Sequence, residues 1–184
     1  MGGTAPSLII LDRDGVINYD SDAYIRAPEE WRPLPGSIEA IAALAARGYL
    51  VVVVSNQSGV GRGLFSEATL AAIHAKMSRT IETAGGALAG IYYCPHRPDE
   101  GCGCRKPAPG LLYRISRDFA CPLADIPFIG DKLSDVLAAD AVEARPILVR
   151  TGSGENTLAM LGARKLEVYD DLADAARHLL AARG

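Results

Sequence analysis

Short apolar runs alternate with longer amphipathic segments from one end of the chain to the other. Ser7–Leu11 (SLIIL) and residues 50–54 (LVVVV) are compact runs of branched residues and predict buried strands. Between them, residues 37–47 place Ile38, Ile41, Ala42 and Ala45 on one face ahead of Gly48, which predicts a helix with a glycine stop. Ser66 is positioned to cap a second helix, where Leu70, Ile73, Met77 and Ile81 recur at helical spacing until Gly85-Gly86. Strands follow at residues 87–93, 126–129, Arg145–Val149 and Glu167–Tyr169, with helices at 111–119, 133–141, 156–161 and 172–182. Strands that are continuous apolar runs, alternating with helices, imply right-handed crossovers. The expected fold is therefore α/β: a Rossmann-like parallel sheet with helices on both faces.

This layout places chemistry. The polar clusters Asp12–Gly15, 55–63 and 130–135 each begin where a predicted strand ends. Open α/β sheets bind ligands outside the carboxyl ends of their strands, so three clusters distant in sequence converge on one edge.

Composition narrows the classes. The chain has 184 residues, 49% hydrophobic and 22% charged, with a formal net charge of −3. This size and balance fit one globular domain over residues 1–184 with no linker. The small acidic charge supplies no broad basic surface, which argues against nucleic acid and anionic membrane as partners. Apolar runs are all far short of transmembrane length, and residues 1–7 carry neither a basic start nor a long apolar stretch. A cytoplasmic monomer acting on a small molecule is expected.

Asp12 and Asp14 stand one residue apart at the first strand exit, and Asp131 and Asp135 at another. Carboxylates brought together resist joint ionisation, and a hard divalent cation removes that cost. Mg²⁺ fits, because it takes a few carboxylate or carbonyl oxygens together with phosphate oxygens. A carboxylate can also attack phosphorus and form an aspartyl-phosphate, dividing one hard displacement into two easier ones. Alone, Asp12-x-Asp14-Gly15 fits a capped turn equally well; the other clusters tip the balance toward a site.

Four segments carry a family resemblance: Asp12-Arg13-Asp14-Gly15-Val16-Ile17-Asn18, Ser55-Asn56-Gln57-Ser58-Gly59, Arg105-Lys106-Pro107 and Gly130-Asp131-Lys132-Leu133-Ser134-Asp135. Their order resembles the haloacid dehalogenase-like (HAD) phosphatases, and among these the D,D-heptose 1,7-bisphosphate 7-phosphatases. The resemblance implies Asp12 as nucleophile and Mg²⁺ ligand. Asp14 would give its backbone carbonyl to the metal and its side chain as general acid, then base. Asp131 is the implied second metal carboxylate, with Asp135 as a more distant partner. Ser55 and Lys106 would hold phosphoryl oxygens. Arg13, Asn56, Gln57, Ser58, Arg105 and Lys132 are the implied substrate contacts. Arg62 and Lys76 have no such support and are expected on the surface.

Cys94-Pro95-His96 and Cys102-Gly103-Cys104 put three thiols and one imidazole within eleven residues of a Pro/Gly-rich loop. Four such donors close a tetrahedral structural Zn²⁺ site with no open position. The ion would order a segment too polar to order itself, and would fix Arg105-Lys106 just after the last ligand. Many of the heptose phosphatases that the chain resembles carry such a loop. Cys121 is expected in the core, and His74 and His178 as packing or surface residues on helices.

The stretch between Gly15 and the first long helix is short, so no separate cap domain fits. Residues 18–31, with Asp20, Asp22, Tyr24 and Arg26, form the expected wall against a phosphosugar. By resemblance the reaction is loss of the 7-phosphate from D-glycero-D-manno-heptose 1,7-bisphosphate, of either anomer. A histidinol-phosphate phosphatase is the nearest alternative, and a non-catalytic zinc- or phosphosugar-binding module the alternative from another class.

Overall fold

A computed structural model describes residues 7–182 of the chain. The opening Met1–Pro6 stretch, read above as carrying no targeting signal, lies outside the described residues, as do Arg183 and Gly184.

The elements are β1 (Ser7–Leu11), α1 (Ser37–Ala46), β2 (Tyr49–Asn56), α2 (Ser58–Gly61), α3 (Glu67–Thr83), β3 (Gly90–Cys94), α4 (Gly110–Asp118), β4 (Pro127–Gly130), α5 (Leu133–Asp140), β5 (Arg145–Val149), α6 (Gly154–Leu161), β6 (Glu167–Tyr169) and α7 (Leu172–Ala181). The six strands form one parallel sheet in the order β3-β2-β1-β4-β5-β6. The expected architecture is therefore the observed one.

The alternation of side chains along each strand explains why the strands read as unbroken apolar runs. Ile9, Leu11, Val51, Val53, Ile129 and Ile147 point to a core shared with Ile38 and Ile41 of α1, Ile73 and Met77 of α3 and Leu179 of α7. Their neighbours Leu8, Ile10, Val52, Val54 and Phe128 point the other way, toward Leu112 and Ile115 of α4 and Ala138 and Ala139 of α5. Both faces are covered. Ser66 caps α3 as expected, accepting a 3.0 Å bond from Thr69 N–H.

The sequence expectation departs from the structure at strand ends and short turns. β2 runs two residues beyond Val54, because Ser55 and Asn56 still pair with Tyr93 and Cys94. β3 begins at Gly90 rather than 87, since its pairing with β2 starts at Val52↔Gly90. The single helical turn α2 lies where a plain polar loop was expected. Two 3-10 turns, Pro28–Glu30 and Pro98–Glu100, start on proline. Between β1 and α1 no element is longer than the first of these.

Lys76 corrects an expectation. Its ammonium is half-buried, donating to the carbonyls of Pro28 (2.7 Å) and Trp31 (3.1 Å) and standing over the Trp31 indole. The lysine ties the 18–31 wall to α3, adding a second donor to the Pro28 carbonyl, which also accepts from Trp31 N–H at 3.2 Å. Arg62 is exposed and Cys121 buried, as read. No described helix is long and apolar enough to cross a membrane.

Candidate active site

The strand order reverses between β1 and β4, and there the carboxyl-end loops part. Asp12 follows β1, and its N–H still bonds the Ile129 carbonyl of β4 at 2.9 Å. Asp131 follows β4, Asp135 sits on the first turn of α5, and Ser55 lies one residue before the end of β2. Carboxylate oxygens of Asp12, Asp131 and Asp135 all lie within 4.8 Å of one another, and all three residues are buried. Asp135, given a lesser place by the sequence reading, is thus a full member of the acidic cluster. Glycines make the crowding possible. Gly15 (φ +89°) and Gly152 (φ +59°) press their bare Cα atoms toward Asp131, and a Cβ at either would strike Asp131 Oδ2.

Two lysines answer these charges. Lys106 Nζ is 2.8 Å from Asp12 Oδ1 and 2.6 Å from Asp135 Oδ1, and only 2% of its side chain is exposed. Burial alone would lower its pKa; Asp12 and Asp135 outweigh that and raise it, so the ammonium stays charged. Lys132 Nζ reaches Asp20 Oδ2 (2.9 Å), the Asp14 carbonyl (3.2 Å), Asp131 Oδ1 (3.5 Å) and Asp12 Oδ2 (3.9 Å). Even so, burial and the Asp12 charge push Asp131 up to about 7, and the same two causes raise Asp135.

That imbalance is the test of fit for a divalent cation. Oxygens of Asp12, Asp131 and the Asp14 carbonyl already gather around one ammonium, and burial with the Asp12 charge still raises the proton affinity of Asp131 and Asp135. A hard, oxygen-rich, over-acidic set of this kind fits Mg²⁺.

Asp14 faces differently. Arg13 grips it with a fork, Nε to Oδ1 and Nη2 to Oδ2, both 3.0 Å, while Asn18 Nδ2 and Gln57 Nε2 each donate at 2.9 Å. Burial would raise its pKa; the Arg13 charge and the bonds from Asn18 and Gln57 outweigh this and hold it below the usual carboxylate range. Gln57 also donates to Ser55 Oγ at 2.5 Å.

A cleft of about 260 Å³ opens over these groups, lined by Asp12, Arg13, Asp14, Asp20, Asp22, Ser55, Asn56, Gln57, Arg105, Lys106 and Lys132. Of the expected substrate-facing residues Ser58 and Arg26 are absent from its wall; Ser58 is buried at the start of α2, and Arg26 lines a neighbouring groove. Asn56 does more than line the cleft. Its amide donates to the Lys106 carbonyl and accepts from the Lys106 N–H, both at 3.0 Å, clamping the lysine's backbone to the end of β2. Residues to which the sequence reading gave no part in the site also appear. Asn18 is fully buried beneath Asp14, His74 of α3 lies behind Arg13, and Ser153 N–H and Thr157 Oγ1 hold Asp131 at 2.7 and 2.8 Å. Asn18 stands inside a quoted motif; the other three carry no local signal.

The sulfur loop begins where β3 ends. Sγ of Cys94, Cys102 and Cys104 and Nδ1 of His96 lie 3.2–3.5 Å apart in five pairs, a set that could hold a metal. Burial raises the Cys94 and Cys104 pKa values. Burial acts on Cys102 too, but bonds from Cys104, Cys94 and backbone N–H groups bring it down to about 7. Three soft donors and an imidazole at one point fit Zn²⁺.

A HAD-hydrolase-like family model matches residues 103–175. The D-glycero-beta-D-manno-heptose-1,7-bisphosphate 7-phosphatase of Pseudomonas putida is 51% identical over 173 residues, covering 94% of this chain and 99% of its own. The enzyme of the same name from Bordetella bronchiseptica is 51% identical over 174 residues, covering 94% and 97%. A crystal structure of D,D-heptose 1,7-bisphosphate phosphatase from B. bronchiseptica, complexed with magnesium and phosphate, matches with a TM-score of 0.93 at 50% identity, covering 96% of this chain and 99% of that one. With about half its residues shared over almost the full length of such relatives, the chain belongs to the D-glycero-D-manno-heptose 1,7-bisphosphate 7-phosphatase family of the HAD-like hydrolases.

Proposed function

We propose that the chain hydrolyses the 7-phosphate of D-glycero-β-D-manno-heptose 1,7-bisphosphate, with Asp12 as nucleophile. The names of its relatives supply the substrate and the anomer. The observation that carries the reading is the meeting of Asp12, Asp14 and Lys106 in one cleft at the point where the strand order reverses.

In the first half-reaction an Asp12 carboxylate oxygen attacks phosphorus and the bond from phosphorus to the sugar oxygen breaks. Asp14 delivers a proton to the departing alkoxide. In the second, Asp14 takes a proton from water, the water oxygen attacks phosphorus, and the bond to Asp12 breaks to release inorganic phosphate. Lys106, already beside Asp12 Oδ1, and Ser55 Oγ hold the phosphoryl oxygens through both steps. Asp12, Asp131 and the Asp14 carbonyl are the groups that would hold Mg²⁺, which supplies positive charge against the phosphoryl oxygens when bound. Asp14 is built as a base in the resting site; the arriving phosphate dianion raises its proton affinity, as the acid role requires.

Cys94, His96, Cys102 and Cys104 would hold Zn²⁺ as a brace for Arg105-Lys106, outside the chemistry. Asp20, Asp22 and Lys132 would meet the sugar. An adjoining groove shares Asp20, Ser21, Tyr24 and Ile25 with the cleft and adds Arg26 and Arg32, room for the part of a bisphosphate that 260 Å³ does not hold. The same reading has one domain acting as a cytosolic monomer; a single sheet and a cleft built from one chain support it.

Phosphate release from the β-anomer, the α-anomer and histidinol phosphate, with Mg²⁺ and with Asp12→Asn as control, tests the reading. Preferred turnover of the β-anomer is expected; a preference for histidinol phosphate would reassign the substrate.

A further inference from the structure

The wall of the cleft is braced by a residue that lines neither the cleft nor the groove beside it. Lys76 of α3 donates to the carbonyls of Pro28 at 2.7 Å and Trp31 at 3.1 Å, with its ammonium 5.9 Å from the centre of the Trp31 indole. Arg26, Glu30 and Arg32 line the groove, and each stands within two residues of one of those carbonyls. Further toward the cleft the wall bonds chiefly to itself. Ser21 N–H donates to Asp20 Oδ1 at 2.8 Å, Tyr24 N–H to the Ser21 carbonyl at 3.0 Å, and Arg26 Nε to the Ala23 carbonyl at 2.6 Å. Its other ties to the body are the ion pair of Asp20 with Lys132 and the burial of Ile25 and Trp31 in the core. Burial has no direction, so it fixes how deep the wall sits. Bonds from a charged donor weaken steeply with angle, so they fix where the backbone points. Direction matters here because Tyr24, which lines both cleft and groove, has φ +66°. An aromatic residue rarely takes that left-handed conformation, and it persists only where the surroundings over-determine it.

We propose that Lys76 is a positioning residue for sugar recognition: by holding the Pro28 and Trp31 carbonyls to α3, it sets where Tyr24, Arg26 and Arg32 meet the part of the substrate beyond the reacting phosphate. This rests on the phosphosugar reading above. Without the ammonium the two carbonyls turn toward other donors, the Pro28–Glu30 turn shifts against Trp31, and Tyr24 is free to relax. The sugar contacts are the same in the bound substrate and in the transition state, so their loss falls on KM. The reacting phosphate is held elsewhere, by Ser55 near the end of β2 and by Lys106, whose backbone Asn56 clamps.

The experiment measures kcat and KM for heptose bisphosphate, and the competitive inhibition constant of inorganic phosphate, in wild type and two variants. Lys76→Met keeps the aliphatic stem and removes the charge; Lys76→Arg keeps a cation with enough N–H groups for both carbonyls. For Met, KM is expected to rise about tenfold, with kcat within about threefold and the phosphate constant within about twofold of wild type. Arg should bring KM back to within about threefold of wild type. A native KM in the Met variant would show that only the stem matters, and would overturn the inference. So would a phosphate constant that rises together with KM, since general loosening moves both. If the Met variant does not fold, Lys76→Gln replaces it: one neutral donor should leave KM raised about threefold or more with the phosphate constant native, and a native KM overturns the inference. A wild type that turns over heptose bisphosphate beside a Met variant equal to it sinks this inference alone. A wild type that does not turn it over sinks the proposed function and this inference with it.

Discussion

Two clusters of metal-ligating side chains stand within one molecule and are built on opposite plans. The carboxylates of Asp12, Asp131 and Asp135 hang from the ends of β1 and β4 and the first turn of α5, with Lys106 and Lys132 as resident counter-charges. The donors Cys94, His96, Cys102 and Cys104 sit mostly in a loop whose one regular piece is the turn Pro98–Glu100, and the basic side chain there, Arg97, is turned to Asp99 and Glu100. The first cluster is held by the fold and then offered to an ion. The second sits in a segment with little regular structure of its own, which on the proposed reading an ion would order. A catalytic site gains from that arrangement, because a cation that comes and goes with substrate must not take the scaffold with it. A structural site has no such constraint.

The contrast is most exposed to failure at Asp12. Asp12→Asn removes the attacking oxygen while relieving repulsion among the carboxylates. A loss of kcat of about 1,000-fold or more is expected, with a melting temperature equal to or above that of wild type in metal-free buffer. A large drop in melting temperature would mean that the acidic edge, like the sulfur loop, depends on its charges for order.

Zinc removal attacks the other half. A soft nitrogen-donor chelator, with Mg²⁺ kept in excess, should open residues 94–104 to proteolysis and lower kcat by about 10- to 100-fold through loss of Lys106 placement. Mg²⁺ withdrawal with Zn²⁺ retained should abolish turnover and leave the proteolysis pattern unchanged. Identical patterns in the two treatments would erase the distinction.

How much of this was readable beforehand follows the same division. The sheet was legible because each strand is buried on two faces and therefore apolar at every position, a signal that does not depend on partners. Asp12, Asp14, Ser55, Lys106 and Asp131 were legible because strand exits and motifs mark them. The cluster of three cysteines and one histidine was legible by spacing alone. His74, Ser153 and Thr157 were not, because each acts on a catalytic group through a contact that only the tertiary fold creates. On the sequence, His74 is one polar position in an amphipathic helix, read as packing or surface, and nothing there marks its contact with Arg13. Lys76 was misplaced for the same reason, since the carbonyls of Pro28 and Trp31 that draw it in are 48 and 45 residues away. Strand ends drifted because pairing with a neighbour, not local pattern, decides where β2 stops.

Asn56 joins the two halves, and cutting it sharpens the comparison on a smaller scale. Asn56→Ala removes both bonds to the Lys106 backbone, an expected loss of about 1–3 kcal/mol in stability by denaturant titration. Turnover should fall about tenfold while zinc content stays whole. If turnover were unchanged, the sulfur loop alone would suffice to place Lys106.

The smallest effect tests whether the scaffold behind the acidic edge is as self-sufficient as its geometry implies. His74 has a folded pKa of about 4 against an ordinary 6.5, so the unfolded chain takes up a proton there before the folded one does. Stability from this group is therefore full above about pH 6.5 and lost progressively as pH falls toward 4. The slope is about 1.4 kcal/mol per pH unit, so about 1 kcal/mol goes between pH 6.5 and 5.5. His74→Gln keeps the acceptor and cannot titrate. The difference in unfolding free energy between wild type and this variant should shrink by that amount over the window if wild type starts ahead, or widen by it if wild type starts behind. Subtracting the two curves cancels the carboxylates, Asp131 included, that titrate in the same range. A pH-independent difference would mean that His74 carries its proton as readily in the fold as out of it, and that Arg13 is not pressed against it.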